Sequence, residues 1–237
     1  MYAMGNVTRN TIAMVLAGGK GERLGQITTN RPKPCVDFGG KYKIIDFVLS
    51  NLFNSGIKRV YVLTQYRAYP LNKHIKEFWS RMVGMGEFFD TISPETNSES
   101  EEWFKGTADA IYQFLRFVES TDADYVAIFG GDHIYKMDIS QMISYHIMNR
   151  ADITVAALEV PVADASRFGI FAVDEDYRVS SFEEKPANPQ CIPERDTCFA
   201  SMGNYIFSTR KLIEVLKEGK KKHADLDFGK HVIPMML

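Results

Sequence analysis

A cluster of glycines and cations near the start of the sequence has the residue types for anion binding. Residues 18–25 read GGKGERLG and hold four glycines together with Lys20 and Arg23. Glycines let backbone N–H groups converge on an anion without obstruction by a Cβ atom, and the two cations add positive charge. The segment directly follows the apolar run 12–16, which predicts a buried parallel strand. Open α/β sheets bind ligands beyond such strand ends, so a phosphate-binding loop is favoured over a tight turn with surface charges.

This loop matches neither of two common phosphate-binding fingerprints. No G-x-x-x-x-G-K-[ST] run fits it, which excludes a Walker P-loop. In a Rossmann turn a glycine would replace Leu24, and a long helix would follow at once. Residues 31–34, RPKP, instead carry two prolines that bar a helix. The sequence predicts a long, irregular, basic loop that could fold over a triphosphate, with Arg23 and Lys33 approaching from two directions.

A carboxylate stands at the end of a second buried strand. The run 125–129, YVAIF, is followed by two glycines and then by Asp132. We expect Asp132 at the same edge of the sheet as the glycine loop. There it could be a ligand of Mg²⁺, which prefers oxygen ligands and takes one or two from the protein, or simply a helix N-cap. The setting G-G-D-H-I-Y-K favours the metal, and we expect a mainly structural role for His133.

The elements that must position these residues alternate along the first 150 residues. This alternation predicts an α/β fold with a doubly wound, Rossmann-like, mostly parallel sheet. Short connections after residue 150 predict some antiparallel strands. The predicted strands are 12–16, 59–64, 125–129, 153–158, 170–175 and 179–184, and the predicted helices are 45–54, 108–118, 137–148, 209–217 and 225–236.

Composition narrows the class of protein. The 237 residues allow one to two domains at about 150 residues each. A net charge of −2, from 28 basic and 30 acidic residues, argues against a nucleic-acid partner. No apolar run approaches the ~20 residues of a membrane span, so no membrane partner is expected. Three cysteines without a C-x-x-C pair favour a reduced, cytoplasmic location over a disulfide framework or a zinc site.

Beyond these single features, the chain resembles a known family along nearly its whole length. The run LAGGKGERL followed by RPKP resembles the sugar-phosphate nucleotidyltransferases (nucleotide-sugar pyrophosphorylases), although Glu22 replaces their usual threonine. Six further runs, in order, are similar to the bacterial ADP-glucose pyrophosphorylase branch: 38–51, 106–113, 130–138, 168–175, 183–189 and 200–207.

The resemblance implies a reaction as well as a fold. ATP and α-D-glucose 1-phosphate would give ADP-glucose and diphosphate, the committed step of glycogen synthesis, with Mg²⁺ as the cofactor. Both reactants are polyanions, so catalysis would consist mainly of positioning and charge neutralisation. Full-length members of this branch are expected to be homotetramers with allosteric effectors. Arg31 matches one effector-binding position, but the identity of the effectors is not carried over.

Individual roles follow from the matched motifs. Arg23, Lys33 and Asp132 are expected to be catalytic, with Asp132 also the metal ligand. Lys185 would bind the phosphate of glucose 1-phosphate and Glu184 the sugar hydroxyls, while Gly169 and Ser201 match further contacts with the sugar phosphate. Phe104 stands where the family usually has a tyrosine at that site, which removes one hydrogen bond worth ~1 kcal/mol.

The nucleotide is expected to lie on the glycine loop and on the start of a helix. Gly106 would let a flat base lie against the backbone, and Thr107 could cap the helix. The full set of expected nucleotide contacts is Leu16, Ala17, Gly18, Gly19, Lys20, Gly21, Gln65, Gly106, Thr107 and Asp109.

The family normally continues with a W-R-D-V-G-T segment, whose Asp is a second metal ligand, and with a left-handed β-helix domain. Neither occurs within residues 1–237. We therefore expect one catalytic domain over 1–237, truncated at its C-terminal end, with the second metal ligand outside the chain and activity in doubt. Two alternatives stay open: a non-catalytic regulatory subunit or nucleotide-binding fragment, and a sibling enzyme that uses UTP, dTTP or GTP.

Overall fold

One mixed sheet runs through the computed structural model, which describes residues 8–19, 25, 28, 31–94 and 104–237. In this part of the chain the sheet has eight strands, in the order β5-β4-β1-β6-β10-β8-β9 with β7 also paired to β10. The four strands from β5 to β6 are parallel, and the pairs that involve β7 to β10 are antiparallel. The strands are β1 (Thr11–Leu16), β4 (Arg59–Leu63), β5 (Phe88–Ile92), β6 (Tyr125–Gly130), β7 (Ile153–Pro161), β8 (Gly169–Val173), β9 (Val179–Glu184) and β10 (Thr197–Ser208); β2 (Asp37–Phe38) and β3 (Tyr42–Lys43) form a separate hairpin.

Helices cover both faces of this sheet. They are α1 (Ile44–Asn54), α2 (Tyr69–His74), α3 (Thr107–Gln113), α4 (Leu115–Glu119), α5 (Ile139–Met148), α6 (Thr209–Lys222) and α7 (Ile233–Met236). Short 3-10 segments span Lys33–Cys35 and Val162–Arg167, and π-helical turns span Ile75–Trp79 and Phe228–Val232.

The β1 strand shows why the apolar runs become central strands. Ile12 and Met14 pack into the hydrophobic cluster on one face of the sheet, whereas Ala13 and Val15 pack into the cluster on the other face. All four side chains are fully buried. A strand covered on both faces needs apolar residues at every position, which produces a continuous run rather than an alternating pattern. The predicted α/β class with a mixed sheet is confirmed.

Several element boundaries differ from the predictions. The predicted helix 108–118 is interrupted at Phe114, whose φ of −107° and ψ of 17° separate α3 from α4. The predicted helix 225–236 is a π-helical turn followed by the short α7. Strand β5 and helix α2 were not predicted. Within the described ranges, no helix is both long enough and apolar enough to cross a membrane.

A buried histidine in α5 makes the stability of this fold depend on pH. His146 is 1% exposed, and its two ring nitrogens lie 2.8 Å from Thr154 Oγ1 and 3.2 Å from Ser208 Oγ. Burial lowers the pKa of His146 to about 4, and the nearby Asp152 opposes this shift only in part. In the unfolded chain a histidine has a pKa of about 6.5. Between about pH 4 and pH 6.5 the unfolded chain therefore binds a proton at this histidine and the folded chain does not, so stability falls as the pH is lowered.

We predict that the wild-type chain loses about 2 kcal/mol of unfolding free energy from this group between pH 7 and pH 5. The H146Q variant should lack this part of the pH dependence, because glutamine does not titrate. Urea unfolding at pH 7, 6 and 5 measures the difference in slope. H133Q is the matched control, since the His133 side chain is 43% exposed. Equal slopes for wild type and H146Q would contradict the prediction.

Candidate active site

The carboxyl ends of β1 and β6 lie side by side, so Gly18 and Gly19, at the described start of the glycine loop, leave the sheet next to the segment that carries Asp132. The parallel register pairs Leu16 with Gly130, so residues 17–19 and 131–133 leave the sheet at the same height. Gly131 N donates a hydrogen bond to Leu16 O at 2.9 Å. A Cβ atom at Gly131 would lie 3.2 Å from that same oxygen, so a glycine allows the two loops to touch. The described start of the glycine loop and Asp132 therefore lie at the same edge of the sheet, as expected.

Lys33 reaches this strand end from the proline segment. Its Nζ lies 2.9 Å from Asp132 Oδ2, and both side chains are about one-third exposed. Lys33 is the first residue of the 3-10 turn Lys33–Cys35. Cys35 holds this turn in place, because its side chain is buried and its N–H donates a hydrogen bond to Pro32 O at 2.9 Å. The His133 Nε2 atom lies 3.6 Å from Asp132 Oδ1. The site thus holds an accessible cation and an accessible carboxylate in contact.

Among the described residues at the start of the glycine loop, Gly19 is open to a ligand, whereas Ala17 and Gly18 are packed. Ala17 is buried, and its N–H already donates to Leu63 O at 2.8 Å. A Cβ at Gly18 would lie 3.1 Å from Gln65 Cβ and 3.2 Å from Phe104 Cδ2, so Gly18 is closely packed. At Gly19, in contrast, a Cβ would meet no described atom within 4 Å, and the residue is exposed. Lys20, Gly21 and Arg23 lie outside the described residues.

Gln65 and Phe104 form the next part of this surface. The Phe104 N–H donates to Gln65 Oε1 at 2.7 Å, which ties the segment before α3 to the segment after β4. The Phe104 ring packs edge-on against Phe114, with ring centroids 5.8 Å apart. The structure therefore brings Gln65 and Phe104 to the glycine loop, beside Gly18. Phe104 was expected at the sugar phosphate, and here it also borders the expected nucleotide loop.

The G-T-A-D start of α3 differs from its expected geometry. A Cβ at Gly106 would collide with the Leu226 carbonyl oxygen, so glycine is needed here for the approach of the chain's own backbone. The prediction that Thr107 caps the helix is wrong, because α3 begins at Thr107 and Gly106 holds the N-cap position. The Thr107 hydroxyl instead donates to Asp227 Oδ2 at 2.9 Å and accepts from Phe228 N at 3.1 Å.

The Asp109 carboxylate faces the protein interior. It is 1% exposed and accepts hydrogen bonds from Lys105 N and the Gln113 side chain, each at 3.0 Å. Lys220 Nζ lies 2.5 Å from its other oxygen. Its role in the structure is to hold residues 104–107 against the end of α6, and it has no surface to offer a nucleotide in this conformation.

Three of the five predicted sugar-phosphate residues, Gly169, Glu184 and Ser201, lie in one row across the antiparallel strands. Gly169 of β8 pairs with Glu184 of β9. Ala200 of β10 pairs with Ile170 of β8, which places Ser201 beside Gly169. Strand β10 pairs with β6 only up to Ile128, so its earlier residues continue past the end of β6. This extension brings the row to the same edge of the sheet as Asp132.

Glu184 and Lys185 meet at the end of β9. Lys185 Nζ lies 3.0 Å from Glu184 Oε1, and the lysine side chain is 56% exposed. Lys185 has a φ of +53°, an uncommon backbone conformation for a non-glycine residue, and its N–H donates to Phe168 O at 2.9 Å. A Cβ at Gly169 would lie 2.9 Å from Glu184 Oε2, and one at Gly229 would lie 2.7 Å away. Two glycines therefore make room for this carboxylate.

Ser201 begins an irregular stretch of β10. The pairing of β10 with β7 shifts between Ser201 and Tyr205, and Gly203 adopts a φ of +68°. Ser201 Oγ accepts a hydrogen bond from Gly203 N at 3.1 Å. Burial raises the pKa of the Tyr205 hydroxyl to about 12, which Ser201 opposes, while Asp227 and Glu184 raise the pKa further.

Asp227 is a site residue that the sequence analysis missed. It precedes the π-helical turn Phe228–Val232, and its Oδ1 accepts from Lys230 N at 3.1 Å. Its Oδ2 accepts from Thr107. A Cβ at Gly229 would lie 3.5 Å from Asp227 Oδ1 and 2.7 Å from Glu184 Oε2, so Asp227 stands between the G-T-A-D segment and the row that contains Glu184. Its own N–H donates to His231 Nδ1 at 3.0 Å. An aspartate directly before a helical stretch was the available signal, and it is typical of an ordinary N-cap.

Comparison with known proteins finds relatives that match along the whole chain. The chain is 77% identical over its whole length to a glucose-1-phosphate adenylyltransferase of Geobacter metallireducens and 73% identical to one of Trichlorobacter lovleyi. It is 50% identical over 232 residues to one of Thermus thermophilus. The chain spans 56–58% of the length of these relatives. Residues 12–237 match the family model described as nucleotidyl transferase, so the chain belongs to the nucleotidyl transferase family.

Proposed function

We propose that this chain carries the adenylyl-transfer site for ATP and α-D-glucose 1-phosphate, with ADP-glucose and diphosphate as products. The observation that carries the proposal is the presence of two cation–carboxylate pairs at one sheet edge: Lys33 with Asp132, and Lys185 with Glu184. Two polyanions that react with each other need cations on both sides of the reacting atoms. The names of the relatives, glucose-1-phosphate adenylyltransferases, support the choice of nucleotide and sugar.

In the proposed reaction the phosphate oxygen of glucose 1-phosphate attacks the α-phosphorus of ATP in line, and diphosphate leaves. Lys33 is expected to turn from Asp132 to the nucleotide phosphates and to neutralise their charge. Backbone N–H groups of the glycine loop would hold the same phosphates. Lys185 is expected to bind the phosphate of the sugar, and Glu184 would accept hydrogen bonds from sugar hydroxyls. Each group holds a reactant in place rather than forming a covalent bond with it.

Asp132 is the residue proposed to hold Mg²⁺. Its carboxylate is accessible and stands beside the proposed phosphate loop. In the described ranges no group of three or more histidine, cysteine, aspartate or glutamate side chains forms a metal site. Mg²⁺ fits one carboxylate here because it commonly keeps several waters and uses phosphate oxygens as ligands. When bound, the ion would offset phosphate charge in the transition state.

The proposal also covers the cellular location, the assembly and the regulation of longer proteins that contain this region. ADP-glucose is the activated donor for glycogen synthesis, so we place the reaction in the cytoplasm, beside a supply of ATP and sugar phosphate. Assembly as a homotetramer and control by small-molecule effectors are part of the same proposal. Size-exclusion chromatography with light scattering on the chain tests whether residues 1–237 suffice for assembly.

We predict that D132N lowers kcat/KM by at least about 100-fold, or about 2.7 kcal/mol, because the amide is a poor magnesium ligand. Diphosphate release from ATP and glucose 1-phosphate is measured in this chain and in a chimera. In the chimera, this chain replaces the matched region of the Geobacter metallireducens relative. The matched control is D138N in the same loop, where Asp138 caps α5 and asparagine caps equally well.

A D132N variant as active as D138N would contradict the assignment of Asp132. Replacement of ATP by UTP or dTTP in the same assay tests the nucleotide. Faster diphosphate release with either of these nucleotides than with ATP would overturn the adenylyl assignment and leave the family intact.

We predict that K185A raises the KM for glucose 1-phosphate roughly 10- to 100-fold and leaves the KM for ATP nearly unchanged. A hydrogen bond between two charged groups contributes about 1.5–3 kcal/mol, which corresponds to this range. The control is R195A, which removes another cation of the same β9–β10 connection, one paired with Glu159 at 2.7 Å. Equal KM values for glucose 1-phosphate in K185A and R195A would refute the role of Lys185.

A further inference from the structure

Two cysteines meet at the connection between β9 and β10, next to the proposed sugar-phosphate row. Cys191 is exposed, and Cys198, the second residue of β10, is fully buried. Both are free thiols. The third cysteine, Cys35, is buried in the proline turn beside Arg31 and Lys43. The connection therefore contains one thiol that solvent can reach and one that it cannot.

The backbone of the connection places these cysteines opposite each other. Ile192 N donates a hydrogen bond to Thr197 O at 2.8 Å. Within the turn between these two residues, Arg195 N donates to Ile192 O at 3.0 Å. Cys191 and Cys198 are the next residues outward, a position where an antiparallel pair makes no backbone hydrogen bond. Cα atoms at such positions lie about 4.5 Å apart, within the range of about 4.4–6.8 Å that a disulfide spans.

The side chains agree with this register. The Cys191 thiol is a close neighbour of the Cys198 thiol. The Cys191 sulfur also lies 3.9 Å from the Pro189 carbonyl oxygen. Burial, followed by the presence of Cys191, raises the pKa of Cys198. The two thiols are thus close to each other but differ in access, as expected for an attacking and a resolving cysteine.

We propose that Cys191 and Cys198 form a dithiol that small disulfides, such as glutathione disulfide, oxidise to an intrachain disulfide. The Cys191 thiolate attacks one sulfur of glutathione disulfide and releases one glutathione. The Cys198 thiolate then attacks the Cys191 sulfur and releases the second glutathione. Two protein thiols lose two electrons and two protons, and the oxidant becomes two thiols. The second step speeds up as pH rises, because buried Cys198 must first lose its proton.

The position of the pair connects it with the proposed site. The connection starts at Lys185, and Cys198 lies three residues before Ser201 on the same strand. Ser181 of β9 also contacts the connection through Gln190, at 3.1 Å. A disulfide would fix the connection to β10 and restrain the segment that carries Lys185. This consequence rests on the proposed function: oxidation should change the KM for glucose 1-phosphate at least three-fold and leave the KM for ATP unchanged.

The modification is tested on the folded chain without an activity assay. The protein is incubated with glutathione disulfide at pH 8, its remaining thiols are alkylated, and its intact mass and peptides are measured. Before alkylation, we expect the wild-type chain to have lost the mass of two hydrogen atoms; after alkylation, its digest should yield a peptide pair linked through Cys191 and Cys198. C198S should stop with one glutathione on Cys191, C191S should form no disulfide, and C35S should behave as wild type.

Three results would overturn the proposed dithiol: a stable glutathione adduct on Cys191 in the wild-type chain, a Cys198 that stays fully alkylatable after unfolding, or a disulfide that involves Cys35.

Kinetics are compared separately for oxidised and reduced protein in the chimera described above. A disulfide that forms without a change in the KM for glucose 1-phosphate would refute the link to the site. If no ATP-dependent turnover occurs, the proposed function fails, while the mass measurement still decides the modification.

Discussion

The ion pair between Lys33 and Asp132 is the interaction on which the proposed site depends. Its two partners lie 99 positions apart in the sequence and belong to no common element. They meet because β1 and β6 are adjacent parallel strands and because the proline segment turns back toward the end of β6. Each side chain keeps about one-third of its surface exposed, so the charges remain available to a ligand. An exposed pair of this kind adds little to stability, so its main interest is chemical.

The second half of the site reaches the same edge by a different route. Parallel strands bring loops to one edge automatically, whereas antiparallel strands alternate in direction. Here β10 extends beyond the end of β6, which lifts Ser201, Gly169 and Glu184 to the level of Asp132. Asp227 and Thr107 then close the row toward the glycine loop. The mixed sheet thus brings Lys33 with Asp132 and Lys185 with Glu184 to one edge.

The strands that are buried on both faces were predictable, because burial requires apolar residues at every position. Strand β5, with its partly exposed FFDTI, lacks that signal, and the break at Phe114 falls inside a good helical pattern. That Asp132 and the glycine loop share one edge of the sheet followed from the common direction of parallel strands, whereas the adjacency of β1 and β6 was not predicted. Two features of the site could not be predicted: the need for glycine at position 106 and the inward direction of the Asp109 carboxylate. Both depend on the packing of residues 220–226, which no local sequence pattern reveals.

We propose above all that Lys33 and Asp132 pair with each other only while the site is empty, and that bound nucleotide and metal separate the two side chains. The most direct measurement is a crystal structure of the chain with ATP and Mg²⁺. The account predicts that Lys33 Nζ leaves Asp132 for a phosphate oxygen and that the metal lies on the Asp132 carboxylate. A nucleotide and metal bound elsewhere, with the Lys33–Asp132 distance still near 2.9 Å, would contradict it.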